Sequence, residues 1–343
     1  MRNFRGRSKK PDFSDVCSIT SRVMQAGNQQ IQMSQTHLDS APMGAANVPK
    51  SFLSVFSRDP RYYQIAALSV LLVYGMGWLD FEVHAWQALV TLGCALATQW
   101  LCTQVWRLPA FDPKSALISG LSLCLLLRAN SIELVAITAI VTIASKFLLR
   151  WRGKHIFNPT NFGIVAMMLV TRGQVWVSPG QWGNMVFFAF LMACIGGMVV
   201  NRAARSDVTI AWLGFYLALV FGRSLWLGEP MTIPIHRLQS GALLLFAFFM
   251  ISDPRTTPNS RVGRILFAAI VAYGAWYVQF RLFRTNGVLW SLALCSLTVP
   301  VLDWLLPGNR YSWRHPRGES GESMRAASTL TLPAQTASAL PLT

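Results

Sequence analysis

The sequence predicts an all-α, polytopic membrane protein with about ten transmembrane helices in two inverted five-helix repeats. Three observations indicate this fold class. Of the 343 residues, 53% are hydrophobic and only 13% are charged, whereas soluble domains carry about 25% charged residues. Ten apolar segments follow one another along the chain, and short polar motifs recur in corresponding segments of its two halves. Basic residues gather in alternate loops, as in membrane proteins of fixed orientation.

The two ends of the chain differ in composition from its middle. The first 60 residues are polar and basic, and no apolar run of the kind found in signal peptides follows their charges. We predict disordered cytoplasmic tails at residues 1–60 and 308–343. Residues 61–307 are then the transmembrane domain, with halves at about 61–172 and 183–306.

The ten apolar segments are the predicted membrane spans. Several are shorter than the ~20 residues that a helix needs to cross a hydrocarbon core of about 30 Å. We therefore expect the third, fifth and eighth to be broken or tilted. In chain order, the segments lie near residues 63–79, 85–105, 115–128, 133–149, 160–172, 183–200, 207–226, 239–252, 264–281 and 287–306.

The distribution of basic residues predicts orientation. The net charge of +16 comes from residues in the tails and between apolar runs, not from one amphipathic face. This pattern favours the lipid bilayer over nucleic acid as the partner. It predicts a multi-pass protein of a bacterial inner membrane with both termini in the cytoplasm. The six cysteines show no paired spacing, so we expect neither a disulfide framework nor a metal site.

The internal repeat is visible in two pairs of short motifs. Ser119-Gly120-Leu121 in the third segment matches Ser240-Gly241-Ala242 in the eighth. Thr160-Asn161-Phe162-Gly163-Ile164 opens the fifth segment, and Thr285-Asn286-Gly287-Val288 opens the tenth. Each pair of motifs relates one segment to the segment five positions later in the chain. Because each half has an odd number of spans, the two halves must have opposite orientations in the bilayer. Such inverted repeats form binding sites near the membrane midplane.

The first polar turn follows the short eighth segment. The 13-residue apolar run from Gln239 to Ile251 ends in Ser252-Asp253-Pro254, and Thr256, Thr257 and Pro258 follow. Proline cannot continue the incoming helix, and Asp before Pro caps a helix or opens a turn. Irregular backbone beside a short span lines internal sites in membrane proteins. The alternative is a turn that only ends a tilted helix at the cytoplasmic surface.

The second polar turn precedes the short fifth segment. Asn158 before Pro159 is a strong helix-start signal. Free N–H groups there, together with Thr160 and Asn161, can hydrogen-bond an isoalloxazine edge, a quinone carbonyl or an anion. The alternative is a cap that serves only its own helix.

Lys146 is an ionisable residue inside the fourth apolar segment. Such a residue is either functional or extends to the membrane surface, which Arg150 and Arg152 mark nearby. Lys146 and the residues of the two turns together form the set of candidate cofactor-binding residues. The sequence contains no recognisable catalytic or metal-binding motif. The set is Asn158, Pro159, Thr160, Asn161, Ser252, Asp253, Thr256, Thr257 and Lys146.

Three stretches resemble one family of membrane proteins. HRLQSGALLLFAFFMISDPRTTPNSRVGRILFA at 236–268 resembles the Ser-Gly-rich helix and Asp-Pro-x-Thr-x-Pro turn in the D subunit of the Rnf electron-transport complex. IFNPTNFGIVAMML at 156–169 resembles the entry to that family's fifth span, and RTNGVLWSLALCSLTVPVLD at 284–303 its last span. The superfamily includes the B subunit of the sodium-pumping NADH:quinone oxidoreductase. Within it, the chain looks most like UnbU-like proteins, which accompany enediyne biosynthesis genes.

The resemblance implies a ten-helix subunit that holds flavin and passes electrons across the membrane, coupled to Na⁺ or H⁺ movement, beside other membrane or redox subunits. Members of the family attach FMN to the Thr of a Ser-x-Ala-Thr motif in the loop after span five. The corresponding loop, about Arg172 to Gly183, has no such motif. We therefore expect a non-covalent flavin (FMN or riboflavin) or a quinone rather than covalent FMN. The alternatives are a small-solute transporter or channel, and a membrane anchor for a biosynthetic partner.

Overall fold

The computed structural model describes residues 59–78, 83–178, 194–201, 203–238 and 240–311. Most of both predicted tails therefore lies outside the described residues. So do residues 183–193 of the sixth predicted segment and the end of the loop after the fifth.

The described chain is mainly helical. The helices are α1 (Pro60–Trp78), α2 (Ala85–Val105), α3 (Pro113–Leu126), α4 (Ile132–Leu148), α5 (Pro159–Thr171), α6 (residues 194–201), α7 (Ser206–Leu227), α8 (Thr232–Leu238), α9 (Gly241–Leu245), α10 (Arg261–Phe280), α11 (Gly287–Cys295) and α12 (Val299–Leu305). A π-helix, Phe246–Met250, continues α9, and a 3₁₀ turn, Ser296–Thr298, joins α11 to α12.

Two short antiparallel strand pairs join the helices. β1 (Leu127–Ala129) pairs with β4 (Val175–Val177), and β2 (Arg150–Trp151) pairs with β3 (Lys154–His155). The first pair ends α3 two residues before the predicted limit of the third segment, because the backbone at Leu127 and Arg128 bonds to β4 instead of continuing the helix.

Several helices have the length and apolarity of membrane spans. Among the described residues these are α2, α7, α10 and the continuous helical run Gly287–Leu305. A fifth is counted if α8 and the helix from Gly241 to Met250, bent by 57°, form one broken span. Leu89 on α2 and Leu225 on α7 are about 70% exposed, which suits a surface covered by lipid. The chain is therefore a multi-pass membrane protein, and the total of ten spans stays a prediction.

The short helices lie inside the packing of the longer ones. α3, of 14 residues, contacts α1 and α2, and α5, of 13 residues, packs against α4 and contacts α11. At about 1.5 Å per residue neither helix reaches across a ~30 Å core. Both were expected to be short. α3 ends among buried residues and α5 begins among buried residues, so the polar groups at these two termini need protein partners.

α4 and α5 approach closely at a glycine. A Cβ atom built on Gly163 would lie 1.8 Å from Oγ1 of Thr142 and 2.9 Å from its Cβ. Only a residue without a side chain allows this contact. The contact sets the position of the N-terminal turn of α5, which begins at Pro159.

The π-helix ends directly before the Ser252–Pro258 turn. The amide of Ile251 donates to the carbonyl of Phe246, five residues earlier, at 3.0 Å, and all five residues of the π-helix are buried. A π-turn contains one residue more than the corresponding α-turn. Ser252 then donates its hydroxyl to the carbonyl of Phe248 at 2.5 Å and ends the helix.

Candidate functional site

The two polar turns identified in the sequence meet in the fold. Nδ2 of Asn158 lies 3.4 Å from Oδ2 of Asp253 and 3.4 Å from the carbonyl oxygen of Met250. Oδ1 of Asn158 accepts from the amide of Asn161 at 3.1 Å, which caps α5. Asn158 therefore caps its own helix and also bridges to a turn 95 residues away.

The Asp253 turn is held by its own side chains. Oδ1 of Asp253 accepts from the amide of Arg255 at 3.0 Å. The Asp253 carbonyl accepts from the hydroxyls of Thr256 and Thr257 at 3.3 and 3.1 Å, and from both of their amides. The two threonines are buried. Their hydroxyls fix the shape of the turn, and Oδ2 of Asp253 is left to face Asn158.

Lys146 lies on the other side of the same space. Its side chain is buried, and Nζ donates to the carbonyl and Oγ of Ser115 at 2.8 and 3.1 Å. The ammonium is thus directed at the start of α3 and does not extend to the surface. In the described part of the chain, no carboxylate oxygen lies within 4 Å of it.

A small polar cavity separates these groups. Six of the nine candidate residues line it: Lys146, Asn158, Pro159, Thr160, Ser252 and Asp253. The cavity has a volume of about 80 Å³, and each water needs about 10–15 Å³ of such a volume. Ligand pockets usually measure about 300–1,000 Å³. The cavity thus has room for a few waters or a small ion, whereas a flavin or quinone ring does not fit it in this conformation.

The other three candidates do not line the cavity. Thr256 and Thr257 bond to their own turn, as described. Asn161 is fully buried, and its Nδ2 donates to the carbonyl of Leu289 on α11 at 3.1 Å. It therefore joins α5 to the last helical run.

Sequence reasoning missed the hydroxyl groups of α3. Ser115, Ser119 and Ser122 all line the cavity. Their spacing of four and then three residues places them on one face of a helix. This polar stripe in an otherwise apolar segment could have identified them. His155, from β3, also lines the cavity, but nothing in the sequence around it marks that position.

Charged residues stand at one edge of the cavity. Arg61 contacts Asp59 at 2.9 Å and Asp112 at 2.6 Å, and Lys114 contacts Asp59 at 2.9 Å. Burial alone would raise the pKa of Asp59, but hydrogen bonds from Arg61 and Lys114 lower it to about 2. The resulting ion pairs fasten the start of α1 to the start of α3, and Arg61 and Asp112 themselves line the cavity.

Burial affects two titratable groups in the turns. Burial raises the pKa of Asp253, although the Arg255 amide and nearby positive charges oppose it. Burial, with the charges of Arg150, Arg255 and Lys146, lowers the pKa of His155 to about 3. His155 is therefore neutral at physiological pH. Asp253 is half-buried, and a carboxyl with a raised pKa beside an amide can take up a proton or bind a small cation.

Together the helices and this cavity define a multi-pass helical membrane protein with a buried polar site between short helices. Residues 170–311 match the model of the NQR2, RnfD, RnfE family. That region includes the Asp253 turn but not the Asn158 turn.

Three curated relatives are each named as the D subunit of an ion-translocating oxidoreductase complex. The protein of Pectobacterium carotovorum subsp. carotovorum is 31% identical over 140 residues, which cover 39% of this chain and 37% of that protein. Those of Salmonella paratyphi B and Salmonella newport are each 30% identical over 139 residues, with the same coverage. The chain thus spans a little over a third of the length of these relatives. It is similar to them over part of its sequence.

Proposed function

We propose that this chain is an integral membrane subunit of an ion-coupled electron-transport system, and that the cavity between the two polar turns is its functional centre. The contact between Asn158 and Asp253 carries the proposal. It joins the turn in the region that matches the NQR2, RnfD, RnfE family model to a turn outside that region. Such a subunit works with other membrane or redox subunits in a bacterial inner membrane, with both termini in the cytoplasm.

The inverted repeat is part of the proposal, and the packing of the helices supports it. In the first half α2 packs against α3 and α4, α1 against α3, and α4 against α5. In the second half α7 packs against the π-helix and α10, and α10 against α11. A Cβ atom on Gly196 of α6 would meet Phe248 of the π-helix, which corresponds to the contact of α1 with α3.

The glycines near the start of the fifth helix of each proposed half also correspond. A Cβ atom on Gly163 would strike Thr142 of α4, and one on Gly287 would lie 2.7 Å from the carbonyl oxygen of Ala275 on α10. Both glycines belong to the Thr-Asn repeat motif seen in the sequence. Each allows the fifth helix of its half to pack closely on the fourth.

A non-covalent flavin or quinone remains part of the proposal, but the cavity in its present conformation does not accommodate either cofactor. The polar groups suit a ring edge or a carbonyl, whereas the space is too small for the ring. Binding there requires the turns to separate. The residues of the cavity suit a second task of such a subunit, which is the movement of a proton or small cation.

Small-ion or small-solute transport without redox chemistry is the second candidate. The small cavity with half-buried Asp253 on one side of it and buried Lys146 on the other favours this function. The proposed closeness to UnbU-like proteins would place either function beside a biosynthetic enzyme system.

An absorption spectrum of the detergent-purified protein, before and after acid precipitation and with solvent extraction of quinone, separates these functions. A visible flavin band that acid releases, or an extracted quinone, supports the redox function. Colour that stays in the precipitate contradicts non-covalent binding. A colourless protein without quinone contradicts the redox function, and ion flux in proteoliposomes then tests the second candidate.

A further inference from the structure

A second cleft lies beside the β2–β3 hairpin. It has a volume of about 270 Å³ and is lined mainly by Trp151, Arg152, Lys154, Asp303, Trp304 and Arg310. It is larger than the cavity between the polar turns and has a different composition. The proposed electron-transport function does not use it.

Two guanidinium groups meet at this cleft, one from the hairpin turn and one from the segment after α12. Arg152 and Gly153 have φ angles of 49° and 78°, as in the tight type I′ turns that join twisted strands. Arg310 donates to the carbonyl of Arg152. A Cβ atom on Gly153 would lie 3.5 Å from Nη2 of Arg310, so this guanidinium packs over the turn.

The cleft has an excess of positive charge. Asp303 is the only carboxylate among its described lining residues, and both of its oxygens are occupied. Oδ2 contacts Nζ of Lys154 at 2.7 Å, and Oδ1 accepts from the amide of Asn259 at 2.7 Å. Arg152 is exposed, and no carboxylate in the described part of the chain pairs with its guanidinium. Arg310 donates to the Arg152 carbonyl through Nη2 and likewise pairs with no carboxylate in the described residues. Arg152 and the remaining N–H groups of Arg310 are therefore available for an anion.

The walls of the cleft suit a membrane interface. Trp151 is 55% exposed and Trp304 is 74% exposed, and tryptophan is enriched where hydrocarbon meets headgroups. Val299 and Pro300 of α12 add apolar surface. Basic pockets between membrane helices bind anionic headgroups, and arginine forms bidentate hydrogen bonds with phosphate.

We infer that this cleft binds a phosphate group through Arg152 and Arg310, and that the bilayer supplies it as the headgroup of an anionic phospholipid. The two tryptophans then lie against the glycerol region. Free inorganic phosphate offers the same anion without the apolar part.

Native mass spectrometry of the purified full chain tests this inference, with phosphatidylglycerol, phosphatidylcholine and inorganic phosphate as separate probes. Arg152→Gln is the test variant and Arg107→Gln its control. Arg107 has a φ angle of 47°, close to that of Arg152, is also exposed and does not line the cleft. The two variants therefore remove the same charge from similar backbone positions.

We expect phosphatidylglycerol to bind more tightly than phosphatidylcholine. Arg152→Gln should weaken its binding about fivefold, whereas Arg107→Gln should leave it within about twofold. Binding of inorganic phosphate but not phosphatidylglycerol, with the same dependence on Arg152, would confirm the phosphate site and exclude the lipid source. Equal effects of the two substitutions would overturn the inference, because they would indicate general surface charge. Should Arg152→Gln lower the thermal midpoint, Arg310→Gln tests the same site.

Discussion

Asp303 on α12 holds the outer flanks of both polar turns at once. Its Oδ2 lies 2.7 Å from Nζ of Lys154, four residues before Asn158, and its Oδ1 lies 2.7 Å from the amide of Asn259, six residues after Asp253. Lys154 also donates to Oδ1 of Asn259 at 3.3 Å. One carboxylate therefore fixes the separation of the two chain segments that carry the candidate site.

Replacing this carboxylate should loosen the site. Asp303→Asn removes the ion pair and leaves Lys154, which is mostly buried, without a charged partner. We expect the free energy of unfolding to fall by about 1–3 kcal/mol, measured as a lower thermal midpoint in detergent. Glu229→Gln is the control, because Glu229 forms a comparable but more exposed ion pair with Arg223 away from the turns. An equal effect of the two substitutions would contradict the proposed role of Asp303.

The contact between the turns should be required for activity. Asn158→Ala and Asp253→Ala should abolish ion uptake driven by electron transfer, measured in membrane vesicles that contain the partner subunits, while membrane insertion is kept. Asn158→Ser keeps a capping oxygen but removes Nδ2, so it should also lose activity at near-normal stability. Asn130→Ala, at an exposed position, is the control. Full activity of the three site variants would show that the turns serve only as caps.

The close approach of α4 and α5 predicts a large cost for one methyl group. Gly163→Ala places a Cβ atom against Thr142 and should destabilise the protein by about 1–3 kcal/mol. Gly214→Ala is the matched control, since a Cβ atom there meets nothing within 4 Å. That change should be neutral or raise the thermal midpoint, because alanine favours helix. A tolerated Gly163→Ala would mean that α5 can move away from α4.

The buried histidine predicts a dependence of stability on pH. His155 has a pKa of about 3 in the fold, against an ordinary value of 6.5. The unfolded chain therefore binds the proton more readily, and stability that is complete above pH 6.5 is lost as the pH falls towards 3. The slope contributed by one such group reaches about 1.4 kcal/mol per pH unit. Thermal midpoints between about pH 7 and pH 4 should show the decline.

His155→Gln should flatten this decline, and the same substitution at exposed His84 should not. A decline of the same size in His155→Gln would place its origin in other groups.

Local signals in the sequence predicted much of the fold. Apolar runs located the helices, and Asn158 followed by Pro159 predicted the capped start of α5, which the hydrogen bond to the Asn161 amide confirms. Where α3 ends was not predictable locally. Leu127 pairs with Val177, 50 residues later in the sequence, and only tertiary structure reveals such a partner.

The sequence predicted which residues lie at the candidate site but not how their side chains are oriented. Polar turns beside short spans indicated Asn158 and Asp253, and both line the cavity. Thr256 and Thr257 have suitable hydroxyl groups, yet these hydroxyls bond to the Asp253 carbonyl. Residue type does not tell which way a hydroxyl points. The cofactor-binding role of all nine residues stays a prediction.

The π-helix before Asp253 gives the chain a tolerance of one residue in length at this point. Because this turn contains one surplus residue, deletion of Ala247 would allow an ordinary α-helix in which the residues on either side keep their helical phase. Asp253 would then stay at the cavity. Deletion of one residue from a regular helix such as α7 would instead rotate everything after it by about 100°, so a shortening that the chain accepts beside the site should disable the protein elsewhere.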